Sequence, residues 1–206
     1  MRQALIATTV ALAAALAAAT ALASATVGQP APAFTATDTA GKTVSLADFK
    51  GKHVVLEWVN PGCPFVVKHY GSNNMQGTQK EAAAKGVVWL AINSTAPEAT
   101  DFKAPAAMAQ WMRGQKAAAT ATLMDADGKV GKAYGARTTP HMYIINPAGT
   151  LVYAGAIDSK PTSSAADIPS ATNHVKVALA ESLAGKPVST ATTKPYGCSV
   201  KYSSGA

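Results

Sequence analysis

Two cysteines, Cys63 and Cys198, give this chain its candidate chemistry. Cys63 follows an apolar run and an Asn-Pro-Gly turn signal, which predicts a buried strand, a tight turn and then a helix. With Cys63 at the N-cap and Pro64 at the first helical position, the free amides of the first turn and the positive end of the helix dipole face the sulfur. This environment favours the thiolate, which is the nucleophilic form. The alternative is a buried structural cysteine.

Glu57 lies in the strand that leads to Cys63. Its neighbours on the same face of that strand, Val55 and Val59, are apolar, so we expect a buried carboxyl group. Burial would raise the pKa of this carboxyl and would allow it to act as a general base. The alternative is a solvated glutamate at an edge of the sheet.

Cys198 lies in a C-terminal segment that is rich in serine, threonine and lysine. The segment also contains the apolar anchors Tyr196, Val200 and Tyr202. Two cysteines in an exported protein most simply form one bridge, so we predict that the tail folds back and that Cys198 can pair with Cys63. A redox-active bond would make Cys198 the resolving thiol, whereas a permanent bond would block Cys63. The alternative is a free tail in which Cys198 pairs with another chain or with nothing.

The N-terminus has the features of a cleavable signal peptide over residues 1–25. It has a positive start, an alanine-rich apolar core over residues 4–22 and a small-residue site at 23–25. A membrane anchor is the alternative, although the core is only marginally long for a span. We therefore expect a periplasmic or secreted protein without an integral span after processing. Residues 26–185 would form one domain and residues 186–206 a tail.

The composition excludes some partners and ligands. The chain has 18 basic and 11 acidic side chains, but no basic run with interleaved aromatic residues, so nucleic acid is not an expected partner. The segment 125–128 resembles the start of a calcium loop, but the later ligands are missing at the required spacing, which favours a turn. We predict neither a metal site nor a cofactor.

The predicted elements alternate between strands and helices. In chain order they are a hairpin (34–37 with 43–46), a strand (53–56), a helix (65–85), a strand (87–93), a helix within 99–118, a short strand (122–124), a short helix (130–134), a hairpin (141–145 with 151–156) and a helix within 165–184. A helix between two continuous apolar runs indicates a parallel βαβ unit. The fold class is α/β, a central mixed β-sheet flanked by helices, with an N-terminal β-hairpin and a C-terminal tail.

This order of elements resembles the thioredoxin-like superfamily, and most closely its exported redoxins of the peroxiredoxin-like type. The matching segments lie within residues 27–184 and are Gly28-x-x-Ala31-Pro32-x-Phe34, Leu46-x-Asp48-Phe49-x-Gly51-Lys52, Pro61-x-Cys63-Pro64, residues 135–140 and Ile144-Ile145-Asn146. One departure is clear, because Val66 replaces the second cysteine of the thioredoxin C-x-x-C motif and also stands where peroxiredoxins place their cysteine. The pattern resembles the branch that retains only the first thioredoxin cysteine.

The resemblance implies a fold and an activity. The fold would be thioredoxin-like, and the activity that of a thiol-dependent oxidoreductase or antioxidant in which Cys63 attacks a disulfide or a hydroperoxide. Glu57 would help to move the proton of the cysteine. Pro64, Thr139 and Pro140 would bind the substrate, with a cis peptide before Pro140. The partners would be exported protein thiols or disulfides, or small peroxides, together with an external thiol reductant.

The alternative function is a non-catalytic thioredoxin-fold module that binds an exported partner or handles copper. His141 follows Pro140, so Cys63 and His141 could offer two soft ligands to copper. Two such ligands alone make a poor site.

Overall fold

The computed structural model describes residues 25–203. The predicted signal peptide lies outside these residues, except for its last position. None of the helices within residues 25–203 combines the length and the apolar character that are needed to cross a membrane.

Nine strands and five α-helices make up the described part of the chain. The strands are β1 (Thr35–Asp38), β2 (Thr43–Ser45), β3 (Val54–Trp58), β4 (Val88–Asn93), β5 (Ala121–Met124), β6 (Thr138–Thr139), β7 (His141–Ile145), β8 (Leu151–Gly155) and β9 (Cys198–Ser199). The helices are α1 (Pro64–Gly71), α2 (Asn74–Ala83), α3 (Pro105–Gly114), α4 (Lys129–Tyr134) and α5 (His174–Leu183). Two 3-10 turns, Leu46–Phe49 and Ala165–Ser170, complete them.

The central sheet has seven strands in the order β2-β1-β5-β4-β3-β7-β8. The neighbours β3, β4 and β5 run parallel, and the other pairings in this sheet are antiparallel. These pairings confirm the predicted N-terminal hairpin, the parallel pair of the βαβ unit and the antiparallel hairpin of β7 and β8. The sheet is therefore mixed, as predicted.

Two apolar layers cover the two faces of this sheet. Every residue of β3 and β4 is buried, as their continuous apolar runs require in a sheet that is covered on both sides. One layer joins Cys63 and Trp89 to buried side chains of α1, α2, α3 and α5. The other joins Trp58 and Tyr143 to α4 and to the N-terminal segment. Cys63 thus belongs to the first layer.

The single helix predicted over residues 65–85 is wrong. The chain leaves the helix after α1, because Asn73 adopts the left-handed conformation with φ of 60°. The hydroxyl group of Ser72 donates back to the carbonyls of Lys68 and His69 at 2.7 and 3.3 Å. Such local bonds from serine compete with helix continuation. The break separates a short helix that carries Cys63 from α2.

Two other predicted helices are shorter than expected because of proline. Helix α3 begins only at Pro105, which occupies a first-turn position where its missing N–H is tolerated. Residues 165–170 form a 3-10 turn that contains Pro169, and α5 starts after Asn173, whose side chain accepts from the N–H of Lys176 at 3.0 Å.

The C-terminal tail folds back across the domain. Strand β9 pairs with β6 in antiparallel fashion, and Cys198 lies opposite Thr139. Beyond β9, the hydroxyl group of Tyr202 donates to the carbonyl of Ala136 at 2.7 Å. The apolar anchors that were read from the sequence therefore do hold the tail against the domain.

The tail passes so close to β6 that only glycine fits at position 197. Gly197 has φ of 134°, a backbone conformation that other residues rarely adopt. A Cβ atom at this position would lie 2.1 Å from the carbonyl oxygen of Thr139. The approach of the two backbones thus depends on the absence of a side chain.

We predict that Gly197→Ala detaches the tail without unfolding the domain. Backbone strain alone would cost roughly 1–3 kcal/mol, and the contact with Thr139 adds to it. The amide of Val200, which donates to the carbonyl of Arg137 at 3.0 Å, should exchange its hydrogen at least about tenfold faster, while the amides of β4 keep their protection.

Gly149→Ala is the matched control for this substitution. Gly149 also has a positive φ, of 81°, but a Cβ atom there would meet nothing within 4 Å. Gly149→Ala should therefore leave the hydrogen exchange of the Val200 amide unchanged. Equal acceleration in both variants would show that strain anywhere in the domain loosens the tail, and would contradict the prediction.

Candidate functional site

Cys63 stands at the N-cap of α1, with Pro64 at the first helical position, as predicted. Its side chain is 1% exposed, whereas Pro64 is exposed beside it. The backbone N–H of Val66 lies in the first turn and lowers the pKa of the thiol. Because a helix N-terminus favours negative charge, the chain geometry here stabilises a thiolate.

Thr139 is the hydrogen-bond partner of Cys63. The thiol donates to the carbonyl oxygen of Thr139, with 2.9 Å between sulfur and oxygen. The hydroxyl group of Thr139 is buried and has no nitrogen or oxygen as a partner, but its interaction with the sulfur lowers the pKa of Cys63. The peptide between Thr139 and Pro140 is cis, as the resemblance implied.

Cys198 completes the site from the tail. Both thiols are free, and each of them affects the pKa of the other. Because Cys198 pairs with Thr139 in the strand register and Cys63 donates to the carbonyl of Thr139, one residue links the two cysteines. The structure thus brings together residues that are far apart in the sequence.

The two thiols differ in acidity. Burial alone would raise the pKa of Cys63, but its interactions with the side chains of Cys198 and Thr139 and with the backbone of Cys198 and Val66 outweigh this effect, so this pKa lies below its ordinary value. Burial, followed by the hydrogen bond and the charge of Cys63, raises the pKa of Cys198 to about 11. Cys63 is therefore the thiol that ionises first.

Glu57 is completely buried, which confirms the expectation from its apolar neighbours. One carboxyl oxygen accepts from the hydroxyl group of Tyr70 at 2.8 Å, and the other accepts from the ring N–H of Trp89 at 2.7 Å and from the amide of Gln79 at 3.1 Å. Burial raises the pKa of Glu57 to about 7, against the opposing effect of these three donors. Its hydrogen-bond partners Tyr70 and Trp89 belong to the same apolar layer as Cys63, but none of the three bonds involves Cys63 itself.

The described residues do not support a metal-binding site. Between residues 25 and 203, no three His, Cys, Asp or Glu side chains are grouped so that they could hold a metal ion. His141 is engaged elsewhere, since its Nδ1 atom accepts from the backbone of Arg137 at 3.3 Å and lies 3.1 Å from the hydroxyl group of Tyr143. Burial lowers the pKa of His141 to about 3, so the ring is neutral.

A buried polar cluster beside the cysteines was missed by sequence reasoning. It consists of Lys68 and His69 on α1, Asp158 after β8, and Tyr196 on the tail, and we call it the tail anchor. The side chains of Lys68 and His69 have no exposed surface. Two consecutive polar residues after the helix start offered a weak signal, but nothing in the sequence connected them to Asp158 or Tyr196.

The chain is similar in sequence to a described protein family and to a curated protein. The family model described as AhpC/TSA family matches residues 27–154. Among curated proteins, the thiol-disulfide oxidoreductase ResA of Bacillus subtilis (strain 168) is 29% identical over 133 residues, which cover 61% of this chain and 64% of that protein.

Solved structures show the same architecture. An uncharacterized conserved protein from Geobacillus kaustophilus is 31% identical, with a TM-score of 0.73 and coverage of 88% of this chain and 94% of that chain. The thioredoxin domain of a thiol-disulfide oxidoreductase from Bacteroides vulgatus is 24% identical, with a TM-score of 0.51 and coverage of 71% and 98%. The second likeness concerns the fold alone and confirms that it is thioredoxin-like.

We predict that Cys63 titrates below an ordinary thiol, whose pKa is about 8.5. Cys198→Ser keeps a side-chain donor next to the sulfur, so the rate of alkylation of Cys63 in this variant should show its inflection below that value. Cys198→Ala removes the donor and should move the inflection upwards. An inflection in the serine variant at or above the ordinary value would contradict the assignment of Cys63 as the acidic thiol.

A second prediction concerns the dependence of stability on pH. The pKa of Glu57 is about 7 in the folded chain and 4.5 ordinarily, so the folded state binds more protons than the unfolded state between these values. The free energy of unfolding should therefore fall by up to about 3 kcal/mol as pH rises through this window. Denaturant unfolding at a series of pH values measures this.

Glu57→Gln should be less stable overall, because an amide cannot accept from all three donors, but it should lose this part of the pH dependence. Glu98→Gln, at an exposed position, is the control and should keep it. If Glu57→Gln and the wild type show the same pH dependence, the raised pKa of Glu57 is wrong.

Proposed function

Because the chain belongs to the AhpC/TSA family of thioredoxin-like redoxins, we propose that it is a thiol-disulfide oxidoreductase in which Cys63 attacks and Cys198 resolves. The observation that carries this proposal is that both cysteines meet at Thr139, since Cys63 donates to its carbonyl oxygen and Cys198 lies opposite it in the strand pair. The C-x-x-V sequence at Cys63 lacks the second cysteine of a thioredoxin motif. Cys198 on the tail would take the place of that missing cysteine.

The proposed reaction has two steps. In the first, the Cys63 thiolate attacks one sulfur of a substrate disulfide, forms a mixed disulfide and expels the other substrate sulfur as a thiolate. In the second, Cys198 loses its proton and attacks the Cys63 sulfur, which forms the Cys63–Cys198 disulfide and releases the remaining substrate thiolate. The substrate is reduced, both protein thiols are oxidised, and an external thiol reductant restores them.

The acidities of the two thiols support this order. The lowered pKa of Cys63 makes it the first nucleophile. The negative charge of Cys63 and its hydrogen bond are among the causes that raise the pKa of Cys198. Since a mixed disulfide carries no charge, the pKa of Cys198 falls once Cys63 has reacted. Burial, which is the largest cause of the raised pKa, remains, but Cys198 ionises more readily after the first step than before it.

Three further residues have proposed roles in this reaction. Pro64 would form the exposed rim against which the substrate rests, and Thr139 and Pro140 would offer the backbone beside the sulfur once the tail has moved. Glu57 would act as a nearby proton store, since its pKa of about 7 allows it to take up or release a proton near neutral pH.

We also propose that the protein acts outside the cytoplasm, on exported disulfides. The apolar segment 4–22 and the small residues 23–25 support export. The likeness to ResA supports disulfides as the substrate class. A hydroperoxide would follow the same two steps, with a Cys63 sulfenic acid in place of the mixed disulfide and water as the product of closure.

We predict that reduced protein treated with oxidised glutathione ends as a Cys63–Cys198 disulfide that retains no glutathione. Cys198→Ser should instead retain glutathione on Cys63, because closure is blocked after the first step. Mass spectrometry of non-reduced peptides distinguishes the two products. Cys63→Ser is the control and should form no disulfide within the chain, because only one thiol remains.

The absence of a glutathione adduct in Cys198→Ser would refute the proposed disulfide substrate. A parallel treatment with hydrogen peroxide tests the other substrate class. Oxidation of Cys63 by peroxide, together with inertness towards glutathione disulfide, would identify the protein as a peroxide reductase instead.

A further inference from the structure

The proposed reaction makes two opposite demands on the tail. Cys63 is 1% exposed under the tail, so a substrate can reach the sulfur only when the tail lifts. Closure then requires that the same tail return and place Cys198 against Cys63. The contacts that hold the tail near Cys198 must therefore be specific in position and limited in strength.

We infer that Tyr196 is the positioning residue that returns Cys198 to Cys63, an inference that rests on the proposed function. Tyr196 precedes Cys198 by two residues, and it contacts Phe65, Lys68 and His69 on α1, the helix whose N-cap is Cys63. A single helix, α1, thus carries the attacking thiol and receives the residue that places the resolving one.

The hydroxyl group of Tyr196 is fixed by two buried side chains. It donates to a carboxylate oxygen of Asp158 at 2.5 Å, and the Nε2 atom of His69 lies 3.1 Å from it. The Nδ1 atom of His69 is 2.8 Å from the amide nitrogen of Asn74 and accepts from it, which leaves the proton on Nε2 to donate to the tyrosine oxygen. Burial lowers the pKa of His69 to about 4, so this neutral form persists at physiological pH.

The ring of Tyr196 is held by the same helix. It packs edge-on against Phe65, with 5.8 Å between the ring centres, and the ammonium group of Lys68 lies 5.6 Å from the ring centre. Both contacts are of kinds that favour one orientation of the ring. The hydroxyl group and the ring together fix the position of the backbone that leads to Cys198.

The tail anchor also has features that limit the stability of the docked tail. Lys68 and Asp158 lie 3.8 Å apart, too far for a hydrogen bond, and one carboxylate oxygen of Asp158 has no hydrogen-bond partner while the tail is docked. Covering these charges costs hydration, which they regain when Tyr196 leaves. A cavity of about 550 Å³ borders Asp158 and Tyr196, so solvent is close to the anchor. This cost offsets part of the docking energy and keeps the tail movable.

The steps can be timed separately with dithiobis(nitrobenzoate), an aromatic disulfide that releases a coloured thiolate at each step. The first release reports attack by Cys63, and the second reports closure by Cys198, which leaves the protein disulfide. Tyr196→Phe keeps the ring but removes the hydroxyl group. It should slow the second release about tenfold, because a hydrogen bond to a charged acceptor is lost. It should also speed the first release, because a tail that is held less firmly exposes Cys63 more often.

Tyr202→Phe is the matched control. It removes a tail hydroxyl group on the other side of Cys198, whose acceptor is the neutral carbonyl of Ala136, and should change the second release much less. Asp158→Asn replaces the charged acceptor of the Tyr196 hydroxyl group by a neutral one. It should slow closure when introduced alone and add little in the Tyr196→Phe background, since both changes act on the same hydrogen bond.

Opposite changes in the two rates are the expected result, since general destabilisation of the protein would not produce them. An unchanged second release in Tyr196→Phe, or an equal loss in Tyr202→Phe, would overturn the role of Tyr196 and leave the proposed function standing. If wild-type Cys63 gives no first release, the proposed function fails, and the inference fails with it.

Discussion

The packing of the C-terminal tail against Thr139 is the contact on which the site depends. The carbonyl oxygen of Thr139 accepts a hydrogen bond from the Cys63 thiol, and the pairing of β6 with β9 places Cys198 opposite Thr139. A side chain at position 197 would abolish this approach, since the two backbones leave no room for a Cβ atom. One close contact between backbones thus places Cys198 at the residue that accepts from the buried Cys63 thiol.

Two buried polar groups surround this contact, and they have different consequences. Glu57 lies in the central strand β3 with three donors on its carboxyl group, and burial raises its pKa to about 7, where protons can be exchanged near neutral pH. The tail anchor, with its charged pair Lys68 and Asp158, lies at the edge of the tail and couples the cover to the helix of Cys63. The first group suits proton handling, whereas the second suits a movable element whose docking energy is partly offset by lost hydration.

Much of this fold could be predicted from local sequence patterns. The buried strands β3 and β4, the parallel pair, the two hairpins and the N-cap position of Cys63 all follow from apolar runs and turn residues. The break at Asn73 was missed, although residues 71–74 are Gly-Ser-Asn-Asn, which favour turns and helix ends over helix interiors. The tail anchor was also hidden, since Tyr196, Asp158 and His69 meet only after the tail has folded back. Periodicity reports which face of an element is buried, but not which distant polar groups meet there.

The central claim is that Cys63 and Cys198 form a reversible redox couple within one chain. The most direct measurement is the fraction of Cys63–Cys198 disulfide after equilibration of the whole protein in glutathione buffers of graded ratio. The account predicts one two-electron transition, at a reduction potential in the range of disulfide oxidoreductases, roughly −120 to −270 mV. A disulfide that stays formed throughout, with a potential below about −300 mV, would mark a structural bond and contradict the account. Persistent glutathione adducts on Cys63 in place of the protein disulfide would contradict it as well.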